Sequence, residues 1–468
     1  MKDIKIVPEI VDAIADSVKI QCDNELDKLA IYNIFMARFA SVVGSKNIMT
    51  DSVKNIAPFP VAYYGLNLLA SGGNKNKPFK AIHKMFSWID TEYELKNESV
   101  KNDTMRKLIN KLPADKQNDD KEIMRIENKC SNLPKLKSRL NGATSQKIYA
   151  ICEQIAHSNF GSVFVYDTEF IKKFENKISG KTGDESLDMT YNLFDGDVDY
   201  TDTVLTDRHD ISGISCSVCY ASDYSRLLKN QKTNSEFRNY LQDGFARRIY
   251  LYTAVNLNGL QENIDYPTIE EIENAKNMIP YFSAYLKNIY DKIQNSSVYC
   301  FSREANILID KYNIETKKRI KQEFSYASVI CDDDEILKAD LNGSAWKISK
   351  TAFLFSIIEN PSCLEVDASC VQMAINYYNE YQKFLKYFLH RKSLDGLDKI
   401  KNYILKNLDE TIIKTDFRIE MGIHHTKSVE FFKTTFPQVV DDLLTENIYL
   451  QEFKEGRKDA FKFYRKEL

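Results

Sequence analysis

The sequence predicts an α/β protein: a phosphate-loop core on a mostly parallel sheet, with large helical additions and a C-terminal winged-helix order. Three observations predict it. In YYGLNLLASGGNKNKPF (Tyr63 to Phe79) an apolar run meets a glycine-centred loop ending in lysine, and an amphipathic segment from Lys80 to Trp88 follows. Two more apolar runs, SVFVYDTEF and ISGISCSVCYA, alternate with helical spacing, which favours parallel pairing through crossovers. From Leu394 onward a helix, a short extended piece, two further helices and a hairpin across EGRK follow in turn.

Residues 1–55 read as a helical region, because Ile31, Ile34, Phe35, Phe39 and Val42 recur at three and four residues. Residues 56–260 form the expected phosphate-loop core. Within it, about 90–140 is dense in Lys, Asn, Asp and Glu and reads as an exposed charged helical insertion. NGATSQKIYAICEQIAHSNFG predicts a helix capped by Thr144 or Ser145, and SVFVYDTEF then predicts a buried strand ending in acids. Ile211 to Ala221 predicts another strand, ending at Ser222 and Asp223. Residues 261–392 read as a helical lid or packing domain, with helices over 269–295, 301–326, 343–359 and 368–390. Residues 393–468 carry the winged-helix order, with helices around 397–408, 426–436 and 437–447.

Composition bounds the function. At 468 residues the chain has room for two or three domains and a large core. A formal net charge of -3 excludes a molecule that attracts DNA or anionic lipid as a whole, so any nucleic-acid surface is a local patch. The nine cysteines are scattered. Cys216 and Cys219 would face opposite sides of a strand, which argues for reduced buried thiols rather than a metal knuckle. Acidic residues throughout MKDIKIVPEIVDAIADSVKI, and no apolar run of membrane-span length, lead to the expectation of a cytoplasmic protein without a membrane partner. The six histidines have no metal-ligand spacing; His83, His424 and His425 are expected to be solvated or structural.

The loop carries the first chemical signal. A strand, a tight loop and a helix N-terminus present backbone N–H groups and the helix dipole to an anion, and a terminal lysine adds a full charge. Ser71, Gly72, Gly73, Asn74, Lys75 and Asn76 are therefore the candidate phosphate cradle. The loop departs from GxxxxGK[ST]. Leu69 replaces the first glycine, Asn74 stands before the lysine where positive φ is often needed, and Asn76 replaces the hydroxyl that holds Mg²⁺. Asparagine tolerates left-handed geometry and an amide oxygen is a weaker magnesium ligand, so hydrolysis is more affected than binding. An ordinary turn is the plain alternative.

Asp167 and Glu169 supply carboxylates at a strand end, where alternation would aim both at one metal-bound water. Ser222, and Lys347 in GSAWKISKTAFLF together with Lys350, are sensor candidates for the terminal phosphate. In QDGFARRIYL one of Arg247 and Arg248 can face a neighbouring subunit while the other packs locally, and a planar guanidinium suits the spread charge of a phosphoryl transition state. Each has a plainer reading as a solvated residue or a chain leaving the core.

The ordered run SGGNKNKP, NGATSQKIYAI, GSVFVYDTEF, LFDGD (Leu193 to Asp197) and DGFARRIYL resembles the primase-helicase-like P-loop ATPases of phages and mobile elements. The resemblance spans roughly Ile31 to Phe388. Ser71, Gly72 and Lys75 match the family's SGxGK loop and Asn74 departs from it; Glu169, with Asp167 beside it, matches the family's acid, and Gly244, Phe245 and Arg247 match its glycine-to-arginine segment. The resemblance implies an AAA+/RecA-like core related to superfamily 3 helicases and replication initiators, with ATP and Mg²⁺ as cofactors. It implies a hexameric ring in which Lys75, Asp167 and Glu169 of one subunit meet Arg247 of the next, and ATP hydrolysis acts on single-stranded DNA. Asn76 and Asp167 are then the metal-side candidates. The rival reading is a protein that kept the fold and lost turnover, serving as an initiator, loader or scaffold.

In the C-terminal segment Asp441, Asp442 and Glu446 would repel phosphates from the presumed recognition helix. Thr434, Thr435 and Gln438 at its edge, and Lys454, Arg457, Lys458, Lys462, Arg465 and Lys466 in the wing, are the candidate DNA contacts. Docking on a replication partner protein is the alternative. A nuclease or nucleotidyl transferase on Asp195, Asp197 and Asp199 is a third reading, set against a solvated loop.

Overall fold

The computed structural model describes residues 5–51, 58–69, 75–113, 116–117, 119–132, 134–142, 144–178, 186–196, 198–201, 208–254, 266–324, 332–420, 428–445, 448–456 and 458–465. Contacts divide the chain into two compact units, Met1–Leu385 and Lys386–Leu468.

The first unit opens with helices α1 (Glu9–Gln21) and α2 (Lys28–Gly44), the latter capped by Asp27, whose carboxylate accepts from Leu29 N. Two short strands follow, β1 (Met49–Asp51) and β2 (Phe59–Pro60), and then the fully buried strand β3 (Tyr64–Leu69). Residues 70–74 lie outside the description, and helix α3 (Asn76–Met85) begins directly after Lys75. The charged insertion is helical: α4 (Trp88–Asn110) lies against α5 (Asp120–Ser131). After β4 (Leu140–Asn141), α6 (Ser145–Ser158) is capped by Thr144, whose hydroxyl accepts from Lys147 N. Strand β5 (Val163–Asp167) leads into α7 (Ile171–Ile178) and α8 (Ser186–Asp195).

The expected strand from Ile211 to Ala221 is two elements. Hairpin β6 (Val198–Thr201) and β7 (Arg208–Ile211) ends at Ile211, Gly213 turns at φ 78°, and β8 (Cys216–Asp223) starts afresh. The positive φ ends the extended run. Helices α9 (Tyr224–Lys229) and α10 (Gln231–Tyr240) precede β9 (Ile249–Thr253).

Strands β4, β5, β8, β3 and β9 lie in that order in one parallel sheet. Its two faces are covered differently. Arg38 of α2 lies 5.3 Å over the Phe164 ring, and His83 of α3 packs 5.2 Å from Tyr166. On the opposite face Phe194 of α8 meets Tyr64 and Phe170 stacks on Tyr220 at 4.0 Å. β3 is tied to α2 by polar groups as well: Asn67 donates to Ala30 O and accepts from Asn33, each at 2.9 Å. A Cβ on Gly65 would stand 3.0 Å from Asn33 Cγ, so α2 crosses β3 where a side chain is missing.

The stretch after β9 is more than helix. It holds α11 (Ile269–Asn277) and α12 (Ile279–Lys292), then β10 (Val298–Phe301), α13 (Arg303–Phe324), α14 (Asp332–Glu359), β11 (Glu365–Val366) and α15 (Ala368–Lys406). Strands β11, β10, β1 and β2 join in a second sheet, so segments from both ends of this unit share one small layer. Strands of two to four residues leave too little periodicity to read in sequence.

The second unit contains the end of α15, β12 (Ile412–Ile413), α16 (Lys414–Glu420), α17 (Ser428–Thr445) and the hairpin β13 (Ile448–Glu455) and β14 (Lys458–Arg465). The sheet is antiparallel in the order β12, β14, β13. Phe417, Phe436, Leu443, Phe461 and Phe463 fill its core. The expected division between helices at Pro437 is corrected: α17 runs through it. The missing N–H is offset by packing on both sides, with Phe436 5.1 Å from Phe461 and Val439 buried. All eight described cysteines are free thiols; Cys300 is exposed, and burial pushes Cys216 up to about 12. No helix among the described residues is long and apolar enough to cross a membrane.

Candidate functional site

The topology points to one edge. From β3 the chain runs to the far side of the sheet at β4, steps back through β5 and β8, and passes β3 to reach β9. Right-handed crossovers in opposite directions put α3 on one face and the later helices on the other. The crevice opened by that reversal lies outside the carboxyl ends of β3 and β8, the usual ligand position in such sheets.

Lys75 stands at this crevice. Its ammonium lies 3.7 Å from Glu169 Oε1, and its side chain is 17% exposed. The other oxygen of Glu169 lies 3.2 Å from Arg226 Nη2, and Arg226 Nη1 is 3.5 Å from Glu175. Two cations thus flank one carboxylate across the ends of three strands. Arg226 lies in no chemical motif of the sequence, and its one local signal is SDYSRLL, a capping aspartate followed one turn later by arginine. Asp223 does cap there, accepting from Ser225 N at 2.8 Å, and this starts the helix that carries Arg226.

Asp167 and Glu169 do not act as an alternating strand pair, which corrects the expectation. β5 ends at Asp167, whose Oδ1 accepts from Glu169 N at 2.7 Å, while Oδ2 lies 3.9 Å from Lys173. The turn closed by Asp167 separates the two carboxylates onto different partners. Ser222 is buried at the end of β8 and accepts from Ile171 N at 3.2 Å, so its hydroxyl anchors the start of α7 beside the crevice. Asn76 is exposed at the first turn of α3. Ser71, Gly72, Gly73 and Asn74 lie outside the described residues.

The remaining candidates are elsewhere. Lys347 is corrected as a sensor: it is buried at the amino end of β9, paired with Asp340, and donates to Ala246 O and Ile249 O at 3.1 Å each. Burial pulls its ammonium below the usual lysine range, partly offset by Asp340. Lys350 donates to Pro60 O at 3.0 Å and is enclosed by the rings of Phe59, Phe194 and Trp346. Arg248 packs locally against Asp195 at 3.0 Å and over Tyr191, whereas Arg247 is exposed. Asp195 is further held by Trp346 Nε1 at 3.1 Å, which gives it a structural task; Asp197 and the side chain of Asp199 lie outside the description.

Comparison with known proteins finds no family model that matches the chain and no match among curated proteins. Among the described residues no three His, Cys, Asp or Glu side chains converge as a metal cluster. In the second unit Lys454 and Lys458 are exposed and Lys462 half-buried on the hairpin. Arg457, Lys466, Glu446, His424 and His425, and the side chains of Thr434, Thr435, Gln438, Asp441 and Asp442, lie outside the description.

Proposed function

We propose that the crevice at Lys75 takes the phosphates of ATP and that the chain is a P-loop ATPase of the AAA+/RecA-like kind, acting on DNA in phage or mobile-element replication. The observation that carries this reading is the approach of Lys75 and Glu169 across the carboxyl ends of a parallel sheet at its topological reversal. A cation for the phosphates and a carboxylate for the attacking water are what phosphoryl transfer requires of a protein. Mg²⁺ would need few protein ligands at this edge beside phosphates and water, and Asn76 and Asp167 would be its protein oxygens. Bound there, it would neutralise charge developing on the phosphates.

Arg247, exposed at the other end of the sheet, suits a role toward a neighbouring subunit in a homo-oligomer, a hexamer by the resemblance. The second unit, read as a winged helix, would bring DNA or a replication partner protein through Lys454, Arg457, Lys458 and Lys462, with Thr435 and Gln438 at the helix edge. A second reading, an initiator or scaffold without turnover, is favoured by one specific observation: Glu169 is engaged by two cations, Lys75 and Arg226, rather than free to orient water.

The test is ATP hydrolysis by the purified protein with Mg²⁺, with and without single-stranded DNA, beside Lys75→Ala. Lysine-dependent turnover is expected. An unchanged rate in the variant overturns the mechanism, and nucleotide binding without turnover selects the second reading.

A further inference from the structure

A cleft of about 630 Å³ lies along the exposed flank of α3, bordered by the ends of β4 and β5. Asn76, Lys80, His83, Lys84 and Ser87 line it at three- and four-residue spacing, so one helical stripe forms the wall. Lys80 and Lys84 are like charges at i and i+4, an arrangement that disfavours a helix by itself. α3 has no acidic residue, and among the described residues no carboxylate lies within ion-pairing distance of either lysine. Arg139 adds a third cation at the rim. The one lining carboxylate, Asp90, is already bonded by the Ser138 hydroxyl and lies 4.0 Å from Arg139.

The floor is aromatic. Tyr166 is half-buried and backed by Phe79 at 5.9 Å. His83 is 8% exposed, and neither of its ring nitrogens has a hydrogen-bond partner. Burial, then the charges of Arg38 and Arg139, push its imidazole down to about 3, so it stays neutral beneath a positive rim. Excess cations over a half-exposed aromatic ring match a ligand that joins an anion to a planar base.

We propose that this cleft binds a phosphorylated nucleoside, with the phosphate between Lys80, Lys84 and Arg139 and the base on Tyr166, at a site that adjoins the Lys75 crevice at Asn76 but uses none of its charged groups. The ligand chemistry is shared by a free mononucleotide and by an unstacked nucleotide of a single strand. The inference does not depend on ATP hydrolysis.

The experiment titrates the full chain with fluorescein-labelled oligothymidylate and, separately, with AMP and TMP. The variants are Lys80→Glu with Lys84→Glu, Tyr166→Ala, and a charge-matched control, Lys101→Glu with Lys107→Glu, on exposed positions of α4. The Lys80 and Lys84 reversal is expected to weaken binding by about tenfold or more, and Tyr166→Ala by about fivefold. The α4 control should stay within about twofold. Oligonucleotide binding without mononucleotide binding supports a strand as the source; mononucleotide binding of equal strength supports a free nucleotide. Failure of all three probes to bind the wild-type chain overturns the proposal. So does equal loss in the α4 control, or unchanged affinity after the Lys80 and Lys84 reversal in a chain whose circular dichroism matches wild type.

Discussion

The Lys75 ammonium lies 3.7 Å from the Glu169 carboxylate, although Lys75 stands just before α3 and Glu169 just after β5, and β5 is two places from β3 in the sheet. The chain between them builds the α4 and α5 insertion, β4 and α6. Both partners keep contact with solvent, so the pair adds little to stability and its consequence lies in where it holds charge.

Glu169→Gln removes the negative charge between Lys75 and Arg226. Nucleotide affinity should hold or rise, because both cations become available to phosphate, while turnover falls by about a hundredfold or more. A fluorescent ATP analogue and a phosphate-release assay on the same sample check this. Turnover near the wild-type rate would remove Glu169 from the mechanism.

Lys347→Met leaves Asp340 buried, with the Tyr378 hydroxyl still donating to it but no counter-charge. Stripping one partner from a buried pair costs about 3 to 5 kcal/mol. Lys347→Met combined with Asp340→Leu should cost less than the single change. Urea unfolding midpoints distinguish the two; a neutral single variant would contradict the burial described for this pair.

Gly343 lies where α14 meets the backbone before β9: an added Cβ would stand 2.1 Å from Arg247 O. Backbone cannot rotate aside as a side chain does. Gly343→Ala should therefore destabilise by about 2 kcal/mol or more and shift the Arg247 turn. Thermal unfolding measures the first effect, and altered protease sensitivity near Arg247 the second.

His83 makes stability pH-dependent. Its imidazole titrates at about 3 in the folded chain against 6.5 ordinarily, so between these values the unfolded state binds the extra proton. Its contribution is complete above pH 6.5 and is lost as pH falls toward 3, with a slope of up to about 1.4 kcal/mol per pH unit. His83→Phe should flatten that slope in denaturant titrations between pH 6 and pH 4. An identical slope in both proteins would show that other groups carry the acid sensitivity.

Much of the first unit is legible locally. The strand before Lys75 and the helix after it, the cap at Thr144 and the helical insertion over 90–140 each rest on neighbours a few positions away. Locality also explains the errors. The alternating pattern runs on past Asp167, where a side-chain turn ends the strand, and across Gly213, where positive φ does the same. Pro437 reads as a break because what carries the helix through it, the packing of Phe436 and Val439 in the core shared with the hairpin, joins segments remote in sequence.

The sequence by itself determined the strands β3 and β5, the helix after Lys75, the acids at the end of β5 and the lysine before α3, since backbone propensity and periodicity act over one or two turns. Only the tertiary structure decided which charges meet. Placing β8 between β3 and β5 brought Arg226 to Glu169, while packing α14 under β9 enclosed Lys347 with Asp340. Such choices depend on burial and Coulomb interaction between segments remote in the chain, and both are set by strand order rather than by the residues alongside.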